Sequence, residues 1–86
     1  MAVDPAPAYT GMTTQELKEK MMDTSLSLFD RYRAMFGLRD KGDDESAMAL
    51  TEGLKDNSAL FRHEIAFLLG QLQNPVTSNE LIDVLF

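Results

Sequence analysis

The stretch SALFRHEIAFLLGQL, residues 58–72, is the most apolar helical segment of the 86-residue chain. Asp56-Asn57-Ser58 supplies a turn and a helix cap before it, and Asn74-Pro75 stops it. At about 100° per residue, one side of this helix collects five apolar residues: Phe61, Ile65, Leu68, Leu69 and Leu72. The pattern therefore predicts one long helix with a buried side and an opposite side available for other contacts.

The same pattern of caps and apolar spacing predicts four further helices, and nothing indicates a strand. They run from Thr13 or Thr14 to Met22, from Ser27 to Leu38, from Asp43 or Asp44 to about Leu54, and from Thr77 or Ser78 to Phe86. A break is expected at residues 23–25 and a turn at residues 39–42. Because Pro5 and Pro7 favour extended backbone, we expect residues 1–12 to form a flexible linker and residues 13–86 to form the folded segment.

An internal repeat appears when the sequence is compared with itself at a shift of 32 residues. The shift aligns Leu28 with Leu60, Phe29 with Phe61, Ala34 with Ala66, and Phe36 with Leu68. A period of this size carried by helix pairs is typical of an α-solenoid, in which each repeat buries its apolar face against its neighbours. We therefore expect an all-α solenoid of short helix pairs, about five helices in all, with a plain five-helix bundle as the alternative.

Composition excludes several classes of function. The net charge of −6 argues against binding the phosphates of nucleic acid. The longest apolar run, Ile65 to Leu69, is far shorter than the roughly 20 residues that cross a bilayer. The absence of cysteine excludes disulfides and thiolate zinc sites, and it favours an intracellular location. Four arginines interleave with acidic residues and are expected to form salt bridges between repeats: Arg31, Arg33, Arg39 and Arg62.

The open side of the helix at residues 58–72 carries the one group of residues that could support chemistry. His63 is the only histidine, and Glu64, Phe67, Gly70 and Gln71 fall within about 100° of it. Glycine inside a helix costs about 1 kcal/mol, which suggests close approach of another backbone or a ligand. Imidazole and carboxylate suit iron, manganese or zinc, and they also serve as acid and base. Taken alone, however, the residues favour a surface or core histidine beside a solvated glutamate, because one such pair needs further ligands.

Two segments of the chain resemble the deoxyhypusine hydroxylase family. They are FDRYRAMF at residues 29–36 and SALFRHE at residues 58–64, the latter followed after five residues by Gly70-Gln71. Asp4-Pro5-Ala6-Pro7 also resembles the connection between the two halves of these enzymes. The resemblance implies an α-solenoid of HEAT-like repeats, with two halves facing each other across a di-iron centre that is held by four His-Glu pairs.

The resemblance also implies roles for particular residues. His63 and Glu64 would be iron ligands, as the first His-Glu pair of the C-terminal half, and no catalytic residue separate from the metal ligands is expected. Gly70 and Gln71 would line the approach of the substrate. By this resemblance, the expected function is that of a cytoplasmic monooxygenase of hypusine biosynthesis, which uses dioxygen to hydroxylate deoxyhypusine on a translation factor. The expected partners are that factor and the other half of the enzyme, and no nucleic acid or membrane is expected.

The chain also departs from the family pattern. Three of the four His-Glu pairs are missing, and Arg31 and Tyr32 stand at the positions shifted by 32 from His63 and Glu64. We therefore expect the 86 residues alone to be catalytically silent. The alternative function is a non-catalytic helical-repeat module that binds a protein.

Overall fold

The computed structural model describes residues 6–72, which form four α-helices and one short 3-10 helix, with no strand in that range. The helices are α1 (Thr14–Met22), α2 (Leu28–Lys41), α3 (Asp44–Thr51) and α4 (Ala59–Leu72), and the 3-10 helix Glu52–Lys55 follows α3. The prediction of an all-α fold is confirmed. The predicted stop at Asn74-Pro75 and the predicted helix at residues 77–86 lie outside the described residues.

Side-chain caps begin the first three helices at the predicted residues. Thr13 and Glu16 form a capping box, in which each side chain accepts a hydrogen bond from the other residue's backbone N–H. The Ser27 hydroxyl caps α2 by accepting a hydrogen bond from the Asp30 N–H. The Asp43 carboxylate caps α3 in the same way by accepting one from the Ser46 N–H. These boundaries were predictable because an N-cap depends only on residues close together in sequence.

The C-terminal end of α2 differs from the prediction. The helix continues through residues 39–41, where a turn was expected, and ends at Gly42. Gly42 has φ 67°, and its N–H donates to the Leu38 carbonyl at 3.3 Å. This left-handed cap needs glycine, and Arg39 and Lys41 suit the negative end of the helix, so nothing stops α2 before Gly42.

The helices stack as two pairs related by the 32-residue shift. α1 contacts α3 and α2 contacts α4, while α1 packs on α2 and α3 packs on α4. Equivalent residues meet across the stack, since the hydroxyl oxygens of Thr14 and Ser46 lie 3.2 Å apart. In the other layer, the rings of Tyr32 and Phe61 stack with centroids 5.8 Å apart. This arrangement confirms the predicted solenoid rather than the plain bundle.

The core fills the space between the two layers. Four residues of the predicted buried side of α4, Phe61, Ile65, Leu68 and Leu69, are at most 1% exposed, and the fifth, Leu72, is half-buried. Leu28 is 45% exposed, and its repeat equivalent Leu60 is 68% exposed. Both leucines lie in the first two positions of their helices, and their side chains lie at the edge of the core.

The described part of the predicted linker packs against the helices. Residues 6–12 have no helix or strand, as Pro-containing backbone predicts, but Ala6 is only 2% exposed. Tyr9 N–H donates to the Arg33 carbonyl at 3.2 Å, and Arg33 Nε donates to the Pro7 carbonyl at 2.9 Å. A Cβ on Gly37 would lie 3.0 Å from the Tyr9 carbonyl oxygen, so this glycine allows the segment to approach α2 closely.

Candidate metal-ligand site on helix α4

A small network of hydrogen bonds holds the start of α4. Ser58 Oγ accepts the Phe61 N–H at 3.2 Å and caps the helix, as predicted. Asp56 Oδ2 accepts the Ser58 N–H at 3.0 Å, and the Asp56 carbonyl accepts a hydrogen bond from Arg62 at 2.7 Å. The turn before the helix is therefore tied to its first residues, immediately before His63 and Glu64.

The predicted site residues lie on the face of α4 that points away from the core. His63, Gly70 and Gln71 are exposed, and Glu64 is half-buried. Phe67 shares this face and is 57% exposed. The structure therefore brings the His63 and Glu64 side chains out of the core, with Gly70 and Gln71 two turns further along the helix.

Gly70 is not required by any packing among the described residues. A Cβ at this position would meet no described atom within 4 Å other than those of its own turns of α4. Gly53 differs, because a Cβ there would lie 2.6 Å from Ile65 Cδ1. Close approach of another part of residues 6–72 therefore does not explain Gly70, whereas a ligand or a segment outside this range would explain it.

Tyr32 on α2 is a titratable residue of the preceding repeat on which the charge of Glu64 acts. Burial raises the pKa of the Tyr32 phenol, and the carboxylate of Glu64 raises it further. Arg31 acts in the opposite direction on this pKa. Glu64 is therefore close enough to α2 for its charge to act on residues of that helix.

Arg31 forms the predicted type of salt bridge between repeats, but with a partner that the sequence did not indicate. Its NH2 group lies 2.6 Å from Asp56 Oδ1, and both side chains are 8% exposed. Burial raises the pKa of Asp56, but the hydrogen bonds from Arg31 and Ser58 outweigh burial and hold the pKa below its usual value. Arg39 also pairs with Asp40 within α2, with its NH2 group 3.0 Å from Asp40 Oδ1. No sequence signal distinguishes Asp56 from an ordinary turn residue.

The donor types at the site suit iron, but the described residues do not complete a metal site. Among residues 6–72 there is no group of three or more His, Cys, Asp or Glu side chains that could hold a metal. Every buried polar side-chain atom in this range has a hydrogen-bond partner. His63 and Glu64 offer one imidazole and one carboxylate, a combination that iron binds readily. A metal held by this pair would need its further ligands from beyond the described range.

No helix within residues 6–72 is long and apolar enough to cross a membrane. The family described as PBS lyase HEAT-like repeat matches residues 30–56, which cover most of α2 and the whole of α3.

Relatives named deoxyhypusine hydroxylase match almost the whole chain. The Drosophila melanogaster protein is 59% identical over 75 residues, which are 86% of this chain and 25% of the relative. The Dictyostelium discoideum protein is 52% identical over 84 residues, which are 94% of this chain and 27% of the relative. The chain therefore spans about a quarter of the length of these curated relatives.

A solved structure shares the fold. Human deoxyhypusine hydroxylase in complex with glycerol superposes with a TM-score of 0.87 at 49% sequence identity. The match covers 92% of this chain and 27% of the human one. Sequence and fold agree along nearly the whole chain, so it is a homologue of the deoxyhypusine hydroxylases over a segment equal to about a quarter of their length.

Proposed function

We propose that this chain forms part of a cytoplasmic deoxyhypusine hydroxylase and contributes His63 and Glu64 to its iron site. The observation that carries the proposal is the open face of α4, where the only histidine stands beside a half-buried glutamate. The names of the relatives and the fold match to the human enzyme support this reading.

In this proposal, the imidazole of His63 and the carboxylate of Glu64 would be the groups that hold iron. The iron, when bound, supplies the activation of dioxygen. The protein contributes placement, since α4 presents both donors on the side away from its packed residues. Because two donors leave a di-iron site incomplete, residues 1–86 alone are expected to be inactive.

The substrate in this proposal is the deoxyhypusine side chain of a translation factor, a lysine extended by an aminobutyl arm. Gly70 leaves space beside the helix for such a chain, because no described atom outside its own turns of α4 lies within 4 Å of its Cβ position. The amide oxygen of exposed Gln71 can accept a hydrogen bond from an ammonium group. The net charge of −6 favours the approach of a polycationic side chain.

The test is hydroxylation by the longest native protein that contains this sequence. The purified protein is incubated with ferrous iron, dioxygen, a chemical reductant and the deoxyhypusine-containing factor, because two electrons must reduce the second oxygen atom of dioxygen to water. Mass spectrometry then measures the gain of one oxygen atom on the factor. We expect this gain with the native protein and its loss with His63→Ala. Unchanged hydroxylation and iron content in His63→Ala would refute the ligand role. An absence of hydroxylation by the native protein itself would favour the alternative, a non-catalytic binding module.

A further inference from the structure

We infer that Arg31 is a positioning residue for His63 and Glu64, because its buried guanidinium fixes the first turn of α4 against α1 and α2. The inference rests on the proposed function of the pair, but the geometry it describes can be measured separately. Arg31 would touch neither metal nor substrate and would act only through the placement of α4.

The guanidinium of Arg31 joins three elements at one buried point. Arg31 belongs to α2 and is 6% exposed. Its Nε donates to the carbonyl of Met21 in α1 at 2.8 Å. Its NH2 donates to Asp56 Oδ1, in the turn before α4, at 2.6 Å. Two bonds from one planar group therefore set the distance from the end of α1 to the start of α4.

The same guanidinium also contacts the first turn of α4 directly. Its central carbon lies 4.4 Å from the centroid of the Phe61 ring. Phe61 is fully buried and precedes His63 by two residues. The ring of Tyr32, the residue after Arg31, stacks on Phe61 as well. A shift of this turn would therefore displace both proposed ligands.

Lysine cannot reproduce this arrangement. Its single ammonium lacks the planar fork that reaches Met21 and Asp56 together, although it keeps the positive charge. Arg31→Lys therefore separates the geometry of the guanidinium from its charge. Arg31 also occupies the position shifted by 32 from His63. The first repeat thus has a buried arginine at the position where the second repeat has an exposed histidine.

The first test measures the position of α4 without metal or substrate. The chain has no cysteine, so spin labels can be attached at Gln15→Cys on α1 and Phe67→Cys on α4, both exposed positions. Pulsed electron paramagnetic resonance then gives the distance between the labels. We expect a single narrow distance in the labelled parent, and a broadened or shifted distribution with Arg31→Lys and with Asp56→Asn. Gly42→Ala, which strains the end of α2, is the control for general destabilisation and should keep the narrow distance.

The second test measures iron binding and hydroxylation by the native protein that contains this sequence. We expect Arg31→Lys to weaken iron binding by about 10- to 100-fold, the usual effect of removing groups that orient metal ligands. The turnover number should fall while KM for the factor stays unchanged, because the substrate does not contact Arg31. An unchanged distance with Arg31→Lys, or an equal change with Gly42→Ala, would overturn the inference. If the native protein lacks hydroxylase activity, the proposed function fails, but the label distances still decide whether Arg31 positions α4.

Discussion

Asp56→Asn tests the buried ion pair that joins the two repeats. The substitution keeps the shape of the side chain and removes its charge, leaving the 8%-exposed Arg31 without an anion. Removing one partner of a buried pair costs about 3–5 kcal/mol. Asparagine still offers an oxygen to the Ser58 N–H. We therefore expect the free energy of unfolding to fall by about 3 kcal/mol, at the lower end of that range. Chains of this size have roughly 4–13 kcal/mol of total stability, so the loss is readily measured.

The effect of Asp56→Asn depends on pH in a defined direction. The folded-state pKa of Asp56 lies below its usual value, so the stabilisation from its charge is complete above about pH 4. That stabilisation is lost as the pH falls through the folded-state pKa. The difference in stability between the native chain and Asp56→Asn should therefore be largest at pH 7 and shrink towards pH 2.

The assay is urea unfolding followed by far-ultraviolet circular dichroism at both pH values. Asp40→Asn is the matched control, because Asp40 also pairs with an arginine but has a 56%-exposed side chain. We expect Asp40→Asn to lower the free energy of unfolding by less than about 1 kcal/mol. A loss of under about 1 kcal/mol for Asp56→Asn at pH 7, or a loss that does not change with pH, would contradict the account of a charge-stabilised anchor.

Three further substitutions test the local structure through the same unfolding assay. Thr13→Ala removes the capping box and should lower the free energy of unfolding by about 1 kcal/mol. An unchanged free energy of unfolding would contradict the capping role. Gly53→Ala places a Cβ 2.6 Å from Ile65 Cδ1 and should cost about 1–3 kcal/mol through overpacking, so a gain in stability would refute the close packing. Gly70→Ala should instead stabilise the chain by up to about 1 kcal/mol, because alanine is the better helix former and meets no described atom. The same variant should lose hydroxylation in the native protein, and full activity would contradict a substrate-lining role for Gly70.

Local signals explain why most helix boundaries could be predicted from the sequence. Thr13, Ser27 and Asp43 each bond to a backbone N–H three residues onward, so a short window contains the whole interaction. The 32-residue repeat also made the stacking of the helix pairs predictable, because equivalent positions of neighbouring repeats meet in a solenoid, as Thr14 and Ser46 do. The open face of α4 followed from its helical period in the same way.

Contacts between distant segments explain what the sequence did not reveal. The approach of residues 6–12 to α2 depends on Gly37, which lies far along the chain from Tyr9. The Arg31 and Asp56 pair spans 25 residues, and neither residue is unusual for its local surroundings. Similarly, the exposure of Leu28 depends on where the core ends, which the helical period alone does not specify.

The central claim, that α4 presents iron ligands for hydroxylation, is tested most directly by Glu64→Ala in the native protein. Glu45→Ala is the matched control, since Glu45 is an exposed glutamate on α3. Iron per protein molecule and hydroxylated product are measured together on the same preparations, with circular dichroism to verify the helices. We predict that Glu64→Ala keeps its helices but loses iron and product, whereas Glu45→Ala keeps both. Full iron content and undiminished hydroxylation in Glu64→Ala would contradict the claim.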